Sequence, residues 1–243
     1  MKMLLSLLVW AVLWEIAGRL KISTIVPPFS AVLEAMTEIA PTEKFGKAAI
    51  ITLRSFSLGM FFALLIGIPL GIVMARVKSL GRLLGMWVNI FVSAPISALV
   101  PILMAVLGIG ETTVVVTVFL FAVFVITLDT QVGITHADRS LDEMGRSFGA
   151  TRTQLYSKIL LWSALPEILA GLRLGAIRGV KGVVIGQLLV AIIGVGELFE
   201  TYSNNFLMEE FWALVVIVFL FAFAISEAIA YLERRVEYYA ASR

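Results

Sequence analysis

The chain has 243 residues, of which 60% are hydrophobic and only 15% charged, with a formal net charge of +2 and a mean hydropathy of +1.00. A soluble domain carries about 25% charged residues, so the composition excludes a soluble globular protein, and a charge of +2 gives no reason to expect a nucleic-acid partner. Cysteine is absent and His136 is the single histidine, which excludes disulfides, thiolate metal sites, cysteine nucleophiles and multi-histidine metal centres.

Crossing about 30 Å of hydrocarbon takes about 20 apolar residues in a helix, and the chain offers six such windows. The first covers about 3–20. It has the outline of a signal peptide but no small-x-small cleavage site, and Glu15 interrupts the run, so it reads as a retained span. Glu15 is expected either to sit at the interface or to pair with Arg19 one turn later. Between about 21 and 53 lies "VPPFSAVLEAMTEIAP", an expected amphipathic helix opened by Pro27, Pro28 and Ser30. The second span, about 55–75, has Gly59, Gly67 and Gly71 at multiples of four, a face that lets another helix approach closely.

The third span, about 83–107, contains Pro95 and Pro101. Each proline removes a backbone donor and frees an upstream carbonyl. Such carbonyls are tolerated at membrane depth where they face protein or a wet path, so the prolines either kink the span for packing or line a pathway. The fourth span, about 113–134, carries Asp129. The fifth, about 172–195, carries Arg178, Lys181 and Gln187, with Arg178 and Lys181 near its start and on one helix face. An ionisable group inside a span normally finds a partner or a wet cavity. Asp129, Arg178 and Lys181 therefore either pair or snorkel structurally, or form a polar gate or anion-attracting wall. The sixth span covers about 211–232.

Lipid-facing segments must satisfy their own amides, so the fold class is all-α: a polytopic membrane protein with six transmembrane helices, read as a single domain over 1–243. Lys and Arg concentrate after the second span (Arg76, Lys78, Arg82), between the fourth and fifth, and in the tail. The loop after the fifth span has Glu197, Glu200, Glu209 and Glu210 and no basic residue. By the positive-inside rule both termini face the cytoplasm.

Between the fourth and fifth spans lies "DEMGRSFGATRTQLYSKILLW" (142–162), within a polar segment of about 138–165. Two short helices meeting at Gly149 fit this stretch, since glycine allows a sharp turn, with Leu141, Met144, Phe148, Leu155 and Ile159 as apolar docking points. It is either a solvated loop or a docking element for a cytoplasmic partner, and its length favours the partner. No G-x-x-x-x-G-K-[ST] loop is present; "GLRLGAIRGVKG" has the wrong spacing. No acid pair, triad or metal cluster has catalytic spacing, so the reading includes no catalytic residue, no metal and no cofactor bound by the chain.

Glu143, then Gly149-Ala150, then Ile159 and Leu161 resemble the EAA loop of the membrane permease subunits of ABC importers. Met144 and Gly145 stand where that family usually has alanines, and Trp162 where it usually has proline; Pro166 keeps the second proline of the extended form. "VSAPISALVPILMAVLGIGE", "IGIPLGIVMA" and "PPFSAVLEAM" resemble corresponding segments of the nitrate/sulfonate/taurine-type permeases, and the likeness covers nearly the whole chain in order. The resemblance implies a coupling helix formed by Asp142, Glu143, Arg146, Ser147, Phe148, Gly149, Ala150, Thr151 and Gln154. It also implies a second copy of the chain, a cytoplasmic ATPase dimer that binds ATP and Mg, an extracytoplasmic substrate-binding protein and a bacterial inner-membrane location. The pathway candidates are Pro95, Pro101, Asp129, Arg178, Lys181 and Gln187. A stand-alone secondary transporter or channel is the alternative; it would call for inverted repeats or a charge relay, and neither is visible.

Overall fold

A computed structural model of the chain describes residues 2–136, 139–190 and 192–241, without the side chains of 2–4, 139, 142, 152 and 237–241. Every regular element among them is helical. In chain order these are α1 (Lys2–Arg19), α2 (Phe29–Ile39), α3 (Glu43–Arg76), α4 (Lys78–Ser93), a 3-10 turn at Ile96–Leu99 and α5 (Val100–Leu107). Then follow α6 (Glu111–His136), α7 (Arg139–Ser147), α8 (Arg152–Leu155), a π-helical turn at Tyr156–Leu160, α9 (Leu161–Ser163), α10 (Leu165–Val190), α11 (Gly194–Asn204) and α12 (Met208–Ala241). Two compact units are distinguished, one of Met1–Leu53 with Gln187–Phe221, the other of Arg54–Gly186 with Ala222–Arg243.

Three helices are long and apolar enough to span a bilayer, Glu43–Arg76, Glu111–His136 and Met208–Val236, or five spans if two bent pairs each count as one. The expected first span is not among them, because the 18 residues of α1 include Lys2, Glu15 and Arg19. The expected third span is broken by 90° between α4 and the segment from Ile96 to Leu107. Pro95, with Ala94 extended before it (φ −70, ψ 147), explains the break, since a residue preceding proline is pushed out of the helical region. Pro101 does not kink anything. It sits in the first turn of α5, where its missing N–H would have had no intrahelical partner. The fifth helix starts at Leu165 and ends at Val190, so the expected boundaries of 172 and 195 shift toward the N-terminus.

In the second unit α6 is the buried axis, with half of its apolar window enclosed. Its neighbours reach it through glycines. A Cβ at Gly59 would stand 2.5 Å from Val118 Cβ, and one at Gly71 would stand 2.6 Å from the Thr127 carbonyl oxygen. The expected close approach of the Gly59/Gly67/Gly71 face is therefore met, and α6 is the helix it meets. On α10 the same device recurs: Cβ atoms at Gly171, Gly175 and Gly182 would stand 2.6 Å from Asp129, 2.7 Å from Ile126 and 3.1 Å from Phe121. Without a hydrophobic driving force in lipid, this close backbone packing is what holds helices together. Phe91 of α4 stacks on Phe124 of α6 with centroids 4.7 Å apart.

In the first unit α2 is amphipathic as its sequence suggests, with Val32, Ala35 and Ile39 buried beside Ala213 and against Trp14 and Trp212. Glu15 bonds Arg19 at 2.6 Å as expected, and it also accepts from the Ser30 amide (2.8 Å) and hydroxyl (2.9 Å). The indoles of Trp14 and Trp212 donate to the carbonyls of Pro27 and Ile25, pinning the loop between α1 and α2.

Gly71→Val places methyls into the Thr127 backbone and is expected to lower the unfolding midpoint in detergent by several degrees. Gly46→Ala, where a Cβ meets nothing within 4 Å, is expected to raise stability by about 0.5–1 kcal/mol. Thermal unfolding of the two variants side by side checks both.

Candidate functional site

The polar segment folds as a helix–corner–helix. α7 ends in a Schellman motif: the Ala150 amide donates to the Gly145 carbonyl (3.0 Å) and the Gly149 amide to that of Arg146 (2.9 Å). Gly149 has φ +75 with nothing within 4 Å of a would-be Cβ. Its backbone conformation, rather than crowding, thus calls for glycine. The chain restarts at once through a capping box, Thr151-Arg-Thr-Gln154. The Thr151 amide donates to Gln154 Oε1 (2.9 Å), and the Gln154 amide donates to Thr151 Oγ1 (3.3 Å). The corner is thereby fixed from both sides by its own backbone.

Its apolar residues divide in two. Phe148, at the tip, is 85% exposed and Met144 46%, whereas Leu155 is 2% exposed. A Cβ at Gly145 would touch Leu155 and Ile159 side-chain ends at 2.6 and 2.8 Å. Leu155 and Ile159 are therefore the inner packing of the hairpin and not docking points, and α7 folds back tightly at Gly145. Glu143, Arg146, Ser147, Thr151 and Gln154 are exposed and Ala150 is half-buried. The side chain of Asp142, and the segment start at 137–138, lie outside the described residues.

At its base the corner joins the second unit. Tyr156 and Leu161 pack against the cluster of Ile134, Ala164 and Ile168, and the guanidinium of Arg76, at the end of α3, lies 4.2 Å over the Tyr156 ring. A groove of about 380 Å³ is lined by Arg76, Arg146, Thr153, Leu155 and Tyr156. The π-turn at Tyr156–Leu160 follows directly. Such turns concentrate at functional sites, and no residue type in "YSKIL" announces one.

The intramembrane polar residues are in different situations. Asp129 faces Gly171 across the α6–α10 contact. Its Oδ2 is buried without a hydrogen-bond partner among the described residues, and the positive charge of Arg178 acts on it. Arg178 is half-buried and Lys181 exposed. Gly182, next to Lys181, packs on Phe121, so this part of α10 lies along the body of α6. A cation there costs on the order of 3 kcal/mol in insertion.

Gln187 belongs to the first unit and is fully buried. The Thr52 hydroxyl lies 2.9 Å from its Oε1 and accepts from the Val195 amide at 3.1 Å. Cβ atoms at Gly194 or Gly196 would stand 2.3 Å from Gln187 atoms. This amide therefore anchors the break between α10 and α11, a structural role that the sequence alone did not reveal. A second pairing has no local signal either: Arg54 binds both carboxylate oxygens of Glu111, with Ser55 Oγ at 3.3 Å. His136 lines a cavity of about 420 Å³ with Arg82, Asn89 and Gln131, between α4 and α6.

The family model for the inner membrane component of binding-protein-dependent transport systems matches residues 67–238, which include the corner, α6 and α10. The chain belongs to that family. It is the permease component of an ABC importer, a multi-pass inner-membrane protein. Over 235 residues the permease is 28% identical to the taurine transport system permease TauC of Escherichia coli, covering 94% of this chain and 84% of that one. Over 146 residues it is 33% identical to the glycine betaine/carnitine/choline permease OpuCD of Bacillus subtilis, covering 60% and 63%. The MetNI methionine ABC transporter, in inward-facing conformations, has a chain matching this fold with a TM-score of 0.70, at 23% identity over 79% of this chain and 95% of that one.

Gly149→Ala is expected to cost about 1–2 kcal/mol locally, because an L-residue is forced into the left-handed region, and Thr151→Ala about 1 kcal/mol through loss of the cap. Hydrogen exchange at the amides of 149–155 should accelerate accordingly in each variant, while amides of α6 stay protected.

Proposed function

We propose that this permease forms the translocation pathway for a small solute delivered by an extracytoplasmic binding protein. A cytoplasmic ATPase dimer docks on the corner at 142–154, and two copies of the chain enclose the pathway. Both termini and the corner face the cytoplasm, a reading supported by Arg76, Lys78, Arg82, Arg146 and Lys158 on one side and by Glu197, Glu200, Glu209 and Glu210, on α11 and at the start of α12, on the other. ATP and Mg belong to the partner; the permease contributes the lever they move.

The observation that carries this reading is the corner. A Schellman motif followed by a capping box makes a stiff knuckle, and its tip is a phenylalanine left 85% exposed. An exposed aromatic anchor on a rigid support is the pattern of an interface hot spot. Force applied there passes through Leu155 and Tyr156 into the base cluster of Ile134, Ala164 and Ile168. The relatives' solutes, taurine for one and glycine betaine, carnitine and choline for another, are all small and ionic, and the pathway candidates Asp129, Arg178 and Lys181 are the charged side chains that such a solute would meet. Pro95, at the 90° break, leaves irregular backbone of the kind that lines a path, and Pro101 starts α5 beside it. Gln187 holds the second break.

Phe148→Asp is expected to reduce ATPase retention during affinity purification of the permease at least about tenfold, since an aromatic anchor is lost and a charge is buried, while membrane insertion is unchanged. If the ATPase stays bound and uptake is normal, the corner is a solvated loop and the reading fails.

A further inference from the structure

The turn from α11 into α12 repeats the build of the corner with one difference. α11 also ends in a Schellman motif: the Leu207 amide donates to the Tyr202 carbonyl (2.9 Å) and the Phe206 amide to that of Ser203 (3.2 Å). At the corner the residue that must turn left-handed is Gly149. Here it is Phe206, with φ +55. In that region the Cβ crowds the following carbonyl, so an L-residue costs stability and glycine is the usual occupant. Burial does not offset the cost, because Phe206 is 81% exposed. The support beneath it is firm. Leu198 and Phe199 of α11 are buried beside Leu214, Tyr202 packs against the same cluster, and Phe199 meets Phe211 edge to face with centroids 5.2 Å apart. A strained turn on a stiff base thus holds an aromatic ring out into solvent.

The segments flanking that ring carry charge of one sign. Glu197, Glu200 and Glu209 are exposed and Glu210 is half-buried. None of the four makes an ion pair among the described residues. No Lys or Arg occurs between Lys181 and Arg234. We infer that this turn is the docking point for the extracytoplasmic binding protein, with Phe206 as the anchor that enters an apolar socket rimmed by basic residues. The inference rests on the importer reading, which puts the segment after α10 on the outer side, and it supplies the surface that reading leaves unassigned. The same chemistry argues against other occupants. Anionic headgroups attract basic segments, not acidic ones. A second copy docking here about a two-fold axis would set these acids against their own mates. A soluble partner with a basic rim is steered by the acids and held by the ring. Glycine at 206 would suit the backbone better and leave nothing to dock, so the strain persists for what the ring meets outside the chain.

Backbone and ring therefore respond in opposite directions to substitution. With p-benzoylphenylalanine in place of Phe206, irradiation of intact cells expressing the transporter is expected to crosslink the permease to an exported solute-binding protein. Crosslinks only to lipid or to a second copy of the chain, or none at all, overturn the inference. The captured protein, once purified, is the probe for the transporter in lipid nanodiscs with its ATPase. Phe206→Gly is expected to raise the unfolding midpoint of the permease by about 2 °C and to weaken binding of the probe at least about tenfold. Phe206→Asn, also at home in the left-handed region, should follow glycine, and Phe206→Trp should keep the affinity. Glu200→Gln with Glu209→Gln should slow association and flatten its salt dependence. Unchanged affinity in Phe206→Gly overturns the docking point even if the midpoint rises. Phe206→Gly keeps its ATPase, whereas Phe148→Asp loses it, so this surface and the importer reading fail separately.

Discussion

Everything in the larger unit depends on how closely two helices approach α6. Gly59, Gly67 and Gly71 on α3, and Gly171, Gly175 and Gly182 on α10, remove the side chains that would otherwise separate the backbones. In lipid, contact of this kind is the main source of cohesion, because apolar side chains gain little by leaving hydrocarbon for one another. The same closeness makes the three-helix core stiff. A Cβ almost anywhere along these faces would strike backbone or a β-carbon, which cannot swing aside as a flexible chain end can. The close contacts give way only where helices are interrupted: the turn at Pro95, the break held by Gln187, and the π-turn after the corner.

Polar residues in the helices then fall into two kinds. Some hold: Arg54 with Glu111, Glu15 with Arg19 and Ser30, Thr52 with Gln187. Others, Asp129, Arg178 and Lys181, have no hydrogen bond or close ion pair among the described residues. A polar residue held by partners explains a local shape, even where one of its atoms, such as the buried Nε2 of Gln187, has no hydrogen bond among the described residues, whereas a charge left without partners along a span needs a further reason to persist. Burial alone does not separate the two kinds. Gln187 is the most deeply buried of the pathway candidates, and it turns out to be a brace.

What could be read from the residues follows from how local each signal is. Helicity, the glycine face of α3, the amphipathic α2 and the Glu15–Arg19 pair are periodicities within one element, and each appears as read. The corner was legible at Gly149, where a sharp turn calls for glycine, while the capping box at Thr151-x-x-Gln154 became apparent only from its hydrogen bonds. The helix starts at Glu43 and Leu165 were misplaced because hydropathy marks the apolar portion of a helix and not its polar first turns. Pro95 and Pro101 look equivalent in sequence, yet one breaks and the other begins a helix, and only the backbone between them decides. Arg54 with Glu111, and Thr52 with Gln187, are separated by 57 and 135 residues. Pairings at that distance belong to tertiary structure.

The π-turn at Tyr156–Leu160 has a geometric consequence for the lever. Helical hydrogen bonds continue beyond it, from Ala164 to Leu160 and from Ile168 to Ala164, so the segment from α8 into α10 is close to one helix with a single residue too many. One residue corresponds to about 100° of azimuth in an α-helix. The surplus residue thus acts as a phase shifter: it decides which compass direction the Phe148 tip faces for a given facing of Arg178 and Lys181. Were the turn to slide along the helix, only the residues it crossed would rotate, by about 100° each, while the Phe148 tip and the Arg178–Lys181 face kept their bearings.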